Sequence, residues 1–194
     1  MASLTVACGS NRGQIQSFNS VYSTARSGGT LDKTSTLVLG QTPSYYCVEA
    51  FLDFDTSGLP DNAVISNCDL VINIIDDKSL TDFTIKAALR DYDSTLTTAD
   101  WVAGASLGAL TLLASKSTSG IATNQYVSLT PESAFVSNVS LTASTRIILF
   151  SSRHEGNNTP TGHEYVEIDS TTYVPQLTLT YTAAIISGGT QMMV

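Results

Sequence analysis

The chain has 194 residues, 42% of them hydrophobic and only 13% charged, and nine basic against seventeen acidic side chains leave a net charge of −8. That length suits one large domain. The lack of any cluster of Lys and Arg argues against a nucleic-acid partner, and no run reaches the ~18 apolar residues of a membrane span.

Residues 1–20 are small and polar, with Asn11, Gly13, Gln14, Gln16 and Asn19, and carry no sustained periodicity. They read as an N-terminal arm that becomes ordered against a partner or a neighbouring subunit. The segment M-A-S-L-T-V-A-C-G lacks a basic stretch followed by a long apolar one, so a soluble protein that keeps Met1 is expected. A domain is expected over 21–182. It opens with a short strand at Val21–Ala25, a turn at R-S-G-G (26–29) and a second strand at Thr36–Gly40, closed by Pro43.

From Cys47 to Ile75 two apolar runs flank the turn-rich D-T-S-G-L-P-D-N of residues 55–62. In the first run Val48, Ala50, Leu52 and Phe54 alternate with Glu49, Phe51, Asp53 and Asp55, which predicts one buried face and one mostly wet face. The second run, Ala63–Ile75, is rich in β-branched residues, and Pro60 takes the chain off the ladder between the two. The runs are expected to form a core pair of an antiparallel sheet.

Asp82–Leu89 alternates as a strand. A long loop follows, in which T-A-D-W (98–101) predicts one helical turn that drops Trp101 onto the core edge. Gly104–Leu113 reads as extended and Asn124–Leu129 as a strand. Thr130–Phe135 reads as a short helix, from its cap, Pro131 at the first helical position and Glu132 in the first turn. Thr145–Phe150 is a buried strand, 151–162 a polar loop, and His163–Ile168 and Gln176–Tyr181 the closing strands. Residues 183–194, interrupted by Gly188 and Gly189, read as a C-terminal tail. About nine short strands with frequent turns and almost no helix predict an all-β fold: a single jelly-roll-like antiparallel β-sandwich with short helical turns and extended terminal tails.

Chemistry is sparse. Cys8, Cys47 and Cys68 are an odd number without C-x-x-C spacing, so zinc is not expected. Cys47 and Cys68 read as core thiols, with a Cys47–Cys68 disulfide as the alternative. No G-x-S-x-G elbow accompanies the serines. His154 and His163 flank one loop beside Glu155 and Glu164, but H-E-Y-V-E is not H-E-x-x-H and lies on a strand, so they read as hydrogen-bonded loop histidines. Asp91, Asp93 and Asp100 supply oxygens suited to Ca²⁺ without its usual periodicity and read as a solvated acidic loop. The carboxylate pairs Asp53/Asp55 and Glu164/Glu167 mark no evident cleft, and the Asp-rich corner reads as turn capping. The expectation is no enzyme, no catalytic residues, no metal and no cofactor. Glycan-binding faces expose two or three stacking rings; here Trp101 is the one tryptophan, and Tyr45, Tyr46, Tyr92 and Tyr126 are scattered along the chain.

Three stretches resemble a known family. E-A-F-L-D-F-D-T-S-G-L-P-D-N-A-V-I-S-N-C-D-L (49–70) resembles the opening motif of the DNRLRE or disaggregatase-related jelly-roll domains, with Cys68 where a small residue is usual. L-F-S-S-R-H-E-G-N-N-T-P-T-G-H-E-Y-V-E-I (149–168) is similar to the late loop and strand of its phage-borne members, and P-Q-L-T-L-T-Y-T (175–182) to their closing strand. The resemblance spans roughly residues 21–182. It implies either a virion protein of a tailed phage or a polysaccharide-binding module. A virion structural protein is the first expectation: a capsid decoration (cement) or head-fibre protein, homo-oligomeric and located in the virion, with the major capsid protein or other virion proteins as partners. A carbohydrate-binding adhesion module that touches a host surface glycan is the alternative.

Overall fold

The computed structural model describes residues 1–32 and 36–183. Its strands are β1 (Ala2–Ala7), β2 (Gly13–Phe18), β3 (Thr30–Asp32), β4 (Thr36–Gln41), β5 (Tyr46–Asp55), β6 (Ala63–Asp77), β7 (Thr84–Leu89), β8 (Leu112–Ser117), β9 (Gln125–Ser128), β10 (Thr130–Pro131), β11 (Ser144–Ser151), β12 (Glu164–Asp169) and β13 (Gln176–Ala183). Two four-residue helices, α1 (Tyr22–Ala25) and α2 (Ser152–Glu155), interrupt them. All pairings are antiparallel and run in the order β1-β13-β6-β12-β4-β5-β11-β7-β8-β10, with β2 beside β5, β3 on the far side of β2, and β9 beside β6. The fold is all-β, a jelly-roll-like sandwich made from one curled sheet.

The curl has two seams. β4 meets β5 only at Gly40–Val48 and Gln41–Cys47, where the sheet passes from one layer to the other. Gly40 sits at φ 130°, and a Cβ there would lie 2.7 Å from the Tyr165 Cα, so this close approach requires glycine. At the other seam Leu129 alone separates β9, which lies on β6, from β10, which lies on β8. Between the layers lies the main core. Leu52 and Phe54 of β5, Leu70, Ile72 and Ile74 of β6, Ile147 and Leu149 of β11 and Leu177 and Leu179 of β13 are all fully buried in it. Their period-2 spacing is what places them there.

β5 and β6, expected to pair, do not. Each belongs to a different layer, because the corner between them crosses the sandwich. Asp55 caps that corner by accepting the Ser57 N–H at 3.1 Å, and the Leu59 N–H donates to the Thr56 carbonyl at 3.1 Å. Thr56, fully buried, sets its Oγ1 2.7 Å from the Ser140 carbonyl, 2.9 Å from that of Ala143 and 2.9 Å from Thr145 Oγ1.

The face expected to be wet is also covered. Glu49 and Phe51 are completely buried, in a second core on the outer side of β5 and β11. Its cover comes from Ile15 of β2, Tyr22 and Ala25 of α1, and Tyr92, Leu96, Trp101, Val102 and Leu107 of the loop after β7. Tyr92 meets Phe51 edge-on, ring centroids 5.6 Å apart. Within that loop the turn at Thr98–Asp100 forms as expected, and Trp101 packs into the second core.

Residues 1–20, expected as an arm, supply β1 on the edge of β13 and β2 on the edge of β5. Their alternation is too short to register alone, and the ladders of β13 and β5 organise it. Val21–Ala25 forms α1 rather than a strand, burying Tyr22 and Ala25 together. Thr130–Phe135 is not a helix: Thr130 pairs with Ser115, Pro131 with Ala114, and fully buried Phe135 draws the following turns onto the main core. Of the expected C-terminal tail, residues 184–194 lie outside the described residues.

Candidate functional site

Two places concentrate polar or aromatic chemistry. The first is inside the second core. Glu49 projects from β5, and its Oε2 accepts the Val102 N–H at 3.1 Å. Its Oε1 lies 3.7 Å from Nδ1 of His154, a residue of α2 with no exposed surface. Among the described residues neither nitrogen of that ring has a hydrogen-bond partner, and neither has Glu49 Oε1. Burial holds the Glu49 carboxyl well above its ordinary range, against the opposing pull of the Val102 N–H and of Arg90. Burial, aided by the positive charge of Arg26, pushes His154 down to about 3. Burial therefore shifts both groups toward their neutral forms, the carboxyl upward and the imidazole downward.

The surroundings explain the enclosure. The Arg26 guanidinium donates to the His154 carbonyl at 2.5 Å and 3.0 Å, to the Glu155 carbonyl at 3.1 Å and to Asn157 Oδ1 at 2.8 Å. It thus satisfies the end of α2 from outside. Trp101 returns a bond from Nε1 to the Arg26 carbonyl at 3.3 Å, and its ring lies 5.5 Å from that of His154. Next to them the Gln41 amide donates to Glu164 Oε2 and to the Asn158 carbonyl, both at 2.7 Å, and accepts from Tyr22 Oη at 2.7 Å. Glu164, wholly buried, also meets Arg153 Nε at 2.5 Å. Among the described residues no hydroxyl or thiol bonds to the His154 ring, so the Glu–His pair has no triad nucleophile there. The arrangement ties the loop after β7 to β5 and, through Arg26 and Trp101, to α2. Among the described residues, the Glu49 and His154 side chains have no exposed surface.

The second place is on the surface. Phe18 and Tyr46 are opposite one another in the β2–β5 register, with rings stacked 4.7 Å apart at 26°. They remain 57% and 40% exposed. They border a cleft of about 420 Å³ whose floor and far wall are Gln16, Ser17, Gly28, Gly29 and Thr30. Tyr45, in the left-handed region at φ 60°, ends the turn that presents Tyr46. A second exposed pair, Tyr126 and Tyr173, meets edge-on at 6.2 Å, with Tyr126 Oη tied to the Val174 carbonyl and Gln176.

The residues singled out in the sequence separate. His154 enters the second core, packed on Trp101 rather than hydrogen-bonded in a loop, whereas exposed His163 packs against Tyr165 at 5.5 Å. Glu155 pairs with Lys86 at 2.5 Å. Glu164 and Glu167 point to opposite faces of β12, so they form no carboxylate pair. Asp91 and Asp53 both approach Arg146, at 3.0 and 3.3 Å, and Asp100 caps Thr97. Among the described residues no group of His, Cys, Asp or Glu is arranged to hold a metal ion. Cys8, Cys47 and Cys68 are free and buried, with Cys47 in the second core and Cys68 in the main one.

Three features escaped the sequence. Arg26 sits in a turn signal, Gln41 ends a strand, and Phe18 lies in the stretch that carries no periodicity. Glu49 was assigned to the wet face, and its complete burial was likewise not foreseen. Against protein-family models and against curated proteins, the chain finds no match.

Proposed function

We propose that this chain is a non-enzymatic structural protein of a tailed-phage virion, a capsid decoration or head-fibre component that binds the assembled shell. The observation that carries the non-enzymatic part is enclosure. Glu49 and His154, which have acid–base character, are buried beneath Trp101 and Arg26, while the outward features among the described residues are ring pairs and sheet edges suited to contact. The virion part rests on the resemblance of residues 49–70, 149–168 and 175–182. The D-T-S-G-L-P corner within the first of these builds the crossover between the layers, an architectural use in keeping with a rigid binding body. Co-sedimentation of the purified protein with assembled shells that lack it tests the proposal. Saturable binding at fixed stoichiometry supports it, and a protein that stays in the supernatant counts against it.

A second reading, a carbohydrate-binding module, is favoured by the Phe18–Tyr46 pair above its polar cleft. Exposed rings stack on sugar C–H faces while amide and hydroxyl groups such as Gln16, Ser17 and Thr30 bond sugar hydroxyls. Glycan-array binding that disappears in Phe18→Ala and Tyr46→Ala would move the assignment to this reading.

A further inference from the structure

β1 stands at the end of the strand order. It pairs with β13 along one edge, and among the described residues no strand pairs with Ala2–Ala7 along the other; just past its end the Gly9 N–H donates to the Asp53 carbonyl of β5 at 2.7 Å. Parity decides which backbone groups face the open side. The Cys8 N–H donates to the Pro175 carbonyl at 2.8 Å, in the same register that sets Leu4 opposite Leu179. Donors and acceptors alternate sides along an antiparallel strand, so Ala2, Leu4 and Val6 direct theirs to β13. Ser3, Thr5 and Ala7 direct theirs outward.

This edge lacks the devices that keep sheet edges from pairing. A-S-L-T-V-A contains no Pro, no Gly and no charge, and its ladder with β13 shows no register shift. The strand at the opposite end of the order, β10, has two residues and one of them is Pro131. β3 has three residues and ends on Asp32, and β9 has four. Leu4 and Val6 reach the main core yet stay half-exposed, because no strand flanks them on the open side.

We infer that β1 is a self-pairing edge that docks antiparallel onto β1 of a second copy of this chain, about a twofold axis at Thr5. That axis sets Ser3 opposite Ala7, Thr5 opposite Thr5, and Leu4 opposite Val6. Every outward-facing residue then meets another, for about six main-chain hydrogen bonds. Leu4 and Val6 gain cover from Val6 and Leu4 of the second copy, and the buried face continues across the join. A twofold at Leu4 would instead set Ala7 against Met1, beyond the strand, and one midway between two residues would put inner-face side chains against outer-face ones. The choice of a second copy as occupant rests on charge as well as shape. The chain carries a net charge of −8, so self-association needs a surface free of acidic groups, and β1 provides one.

Sedimentation equilibrium on the full chain tests this. The wild type is expected to show, with rising concentration, twice the 20.5 kDa chain mass. Thr5→Pro removes an outward N–H and leaves the β13 bonds intact, so it should be monomeric under the same conditions. Thr5→Lys and Thr5→Glu should each be monomeric too, because the twofold brings like charges together. An equimolar mixture of those two should regain the dimer mass, which a merely damaged fold would not do. A wild type that remains monomeric at its highest soluble concentration overturns the inference. So does a dimer indifferent to the Thr5 substitutions, or a Lys/Glu mixture that stays monomeric.

Discussion

The buried pair Glu49–His154 makes a specific pH signature, because its two members titrate in opposite senses. Unfolded His154 takes up a proton below its ordinary 6.5, whereas folded His154 waits until about 3. Over that interval the unfolded chain holds one more proton, so the stability due to a neutral His154 is full above 6.5 and is lost as pH falls. Glu49 does the reverse. Its unfolded carboxyl ionises above about 4.3 while the folded one keeps its proton, so its contribution is full below that value and is lost as pH rises. Each slope amounts to about 1.4 kcal/mol per pH unit. Where the windows overlap the two cancel, and each single substitution should expose the other. Between pH 4.5 and 6.5, Glu49→Gln should gain about 2–3 kcal/mol as pH rises, and His154→Leu should change in the opposite sense, losing stability. Urea midpoints at closely spaced pH values, converted with a common m-value, give the comparison. If both variants track the wild type in parallel, the pair is solvated and the enclosed second core is wrong.

Phe54→Ala and Phe51→Ala should each cost about 3–5 kcal/mol by denaturant midpoint, since both faces of β5 are packed, while Asp53→Ala should cost clearly less than either. Thr56→Val should cost about 1–3 kcal/mol, because it strips a buried hydroxyl from the Ser140 and Ala143 carbonyls. Burial pushes all three thiols up to about 12, so Cys8, Cys47 and Cys68 should resist a thiol-titrating reagent at pH 8 and all react once the chain is unfolded. A fast native-state reaction of Cys47 would show the second core to be open.

How much of this was legible depends on how each element is held. The strands of the main core announce themselves, because Leu70, Ile72 and Ile74, or Leu177 and Leu179, repeat every second residue toward one interior. Trp101 was legible for a different reason: its local T-A-D-W turn is short-range chemistry. The second core was not. Its floor is a strand face that mixes Glu49 with Phe51, and its cover comes from α1 and from a loop without periodicity. An interior carboxylate reads as a wet face unless its cover is known. β1 and β2 failed for a related reason, since a six-residue strand such as A-S-L-T-V-A or G-Q-I-Q-S-F is too short to show a period and owes its order to the neighbour it bonds. The aromatic cleft was invisible because Phe18 and Tyr46 lie far apart in sequence and meet only through the β2–β5 register.

That register also joins the interior to the surface. β2 crosses from the second core, where Ile15 is fully buried, to the cleft, where Phe18 is 57% exposed, within four residues. The cleft wall on that side is therefore a direct extension of a packed strand. At its other wall, Gly29 lies against the Gln16 backbone so closely that no Cβ fits between them. A ligand at this cleft would meet a surface braced by the second core rather than one it must order on binding, which lowers the entropic cost of association. Changes far inside, at Ile15 or Tyr22, should consequently weaken contacts made at Phe18 and Tyr46, and the route is the strand itself. The same argument does not extend to Tyr126 and Tyr173: that pair spans β9 and the turn before β13, remote from the second core and anchored by a few polar bonds. Of the two aromatic patches, the braced one is the better foundation for recognition.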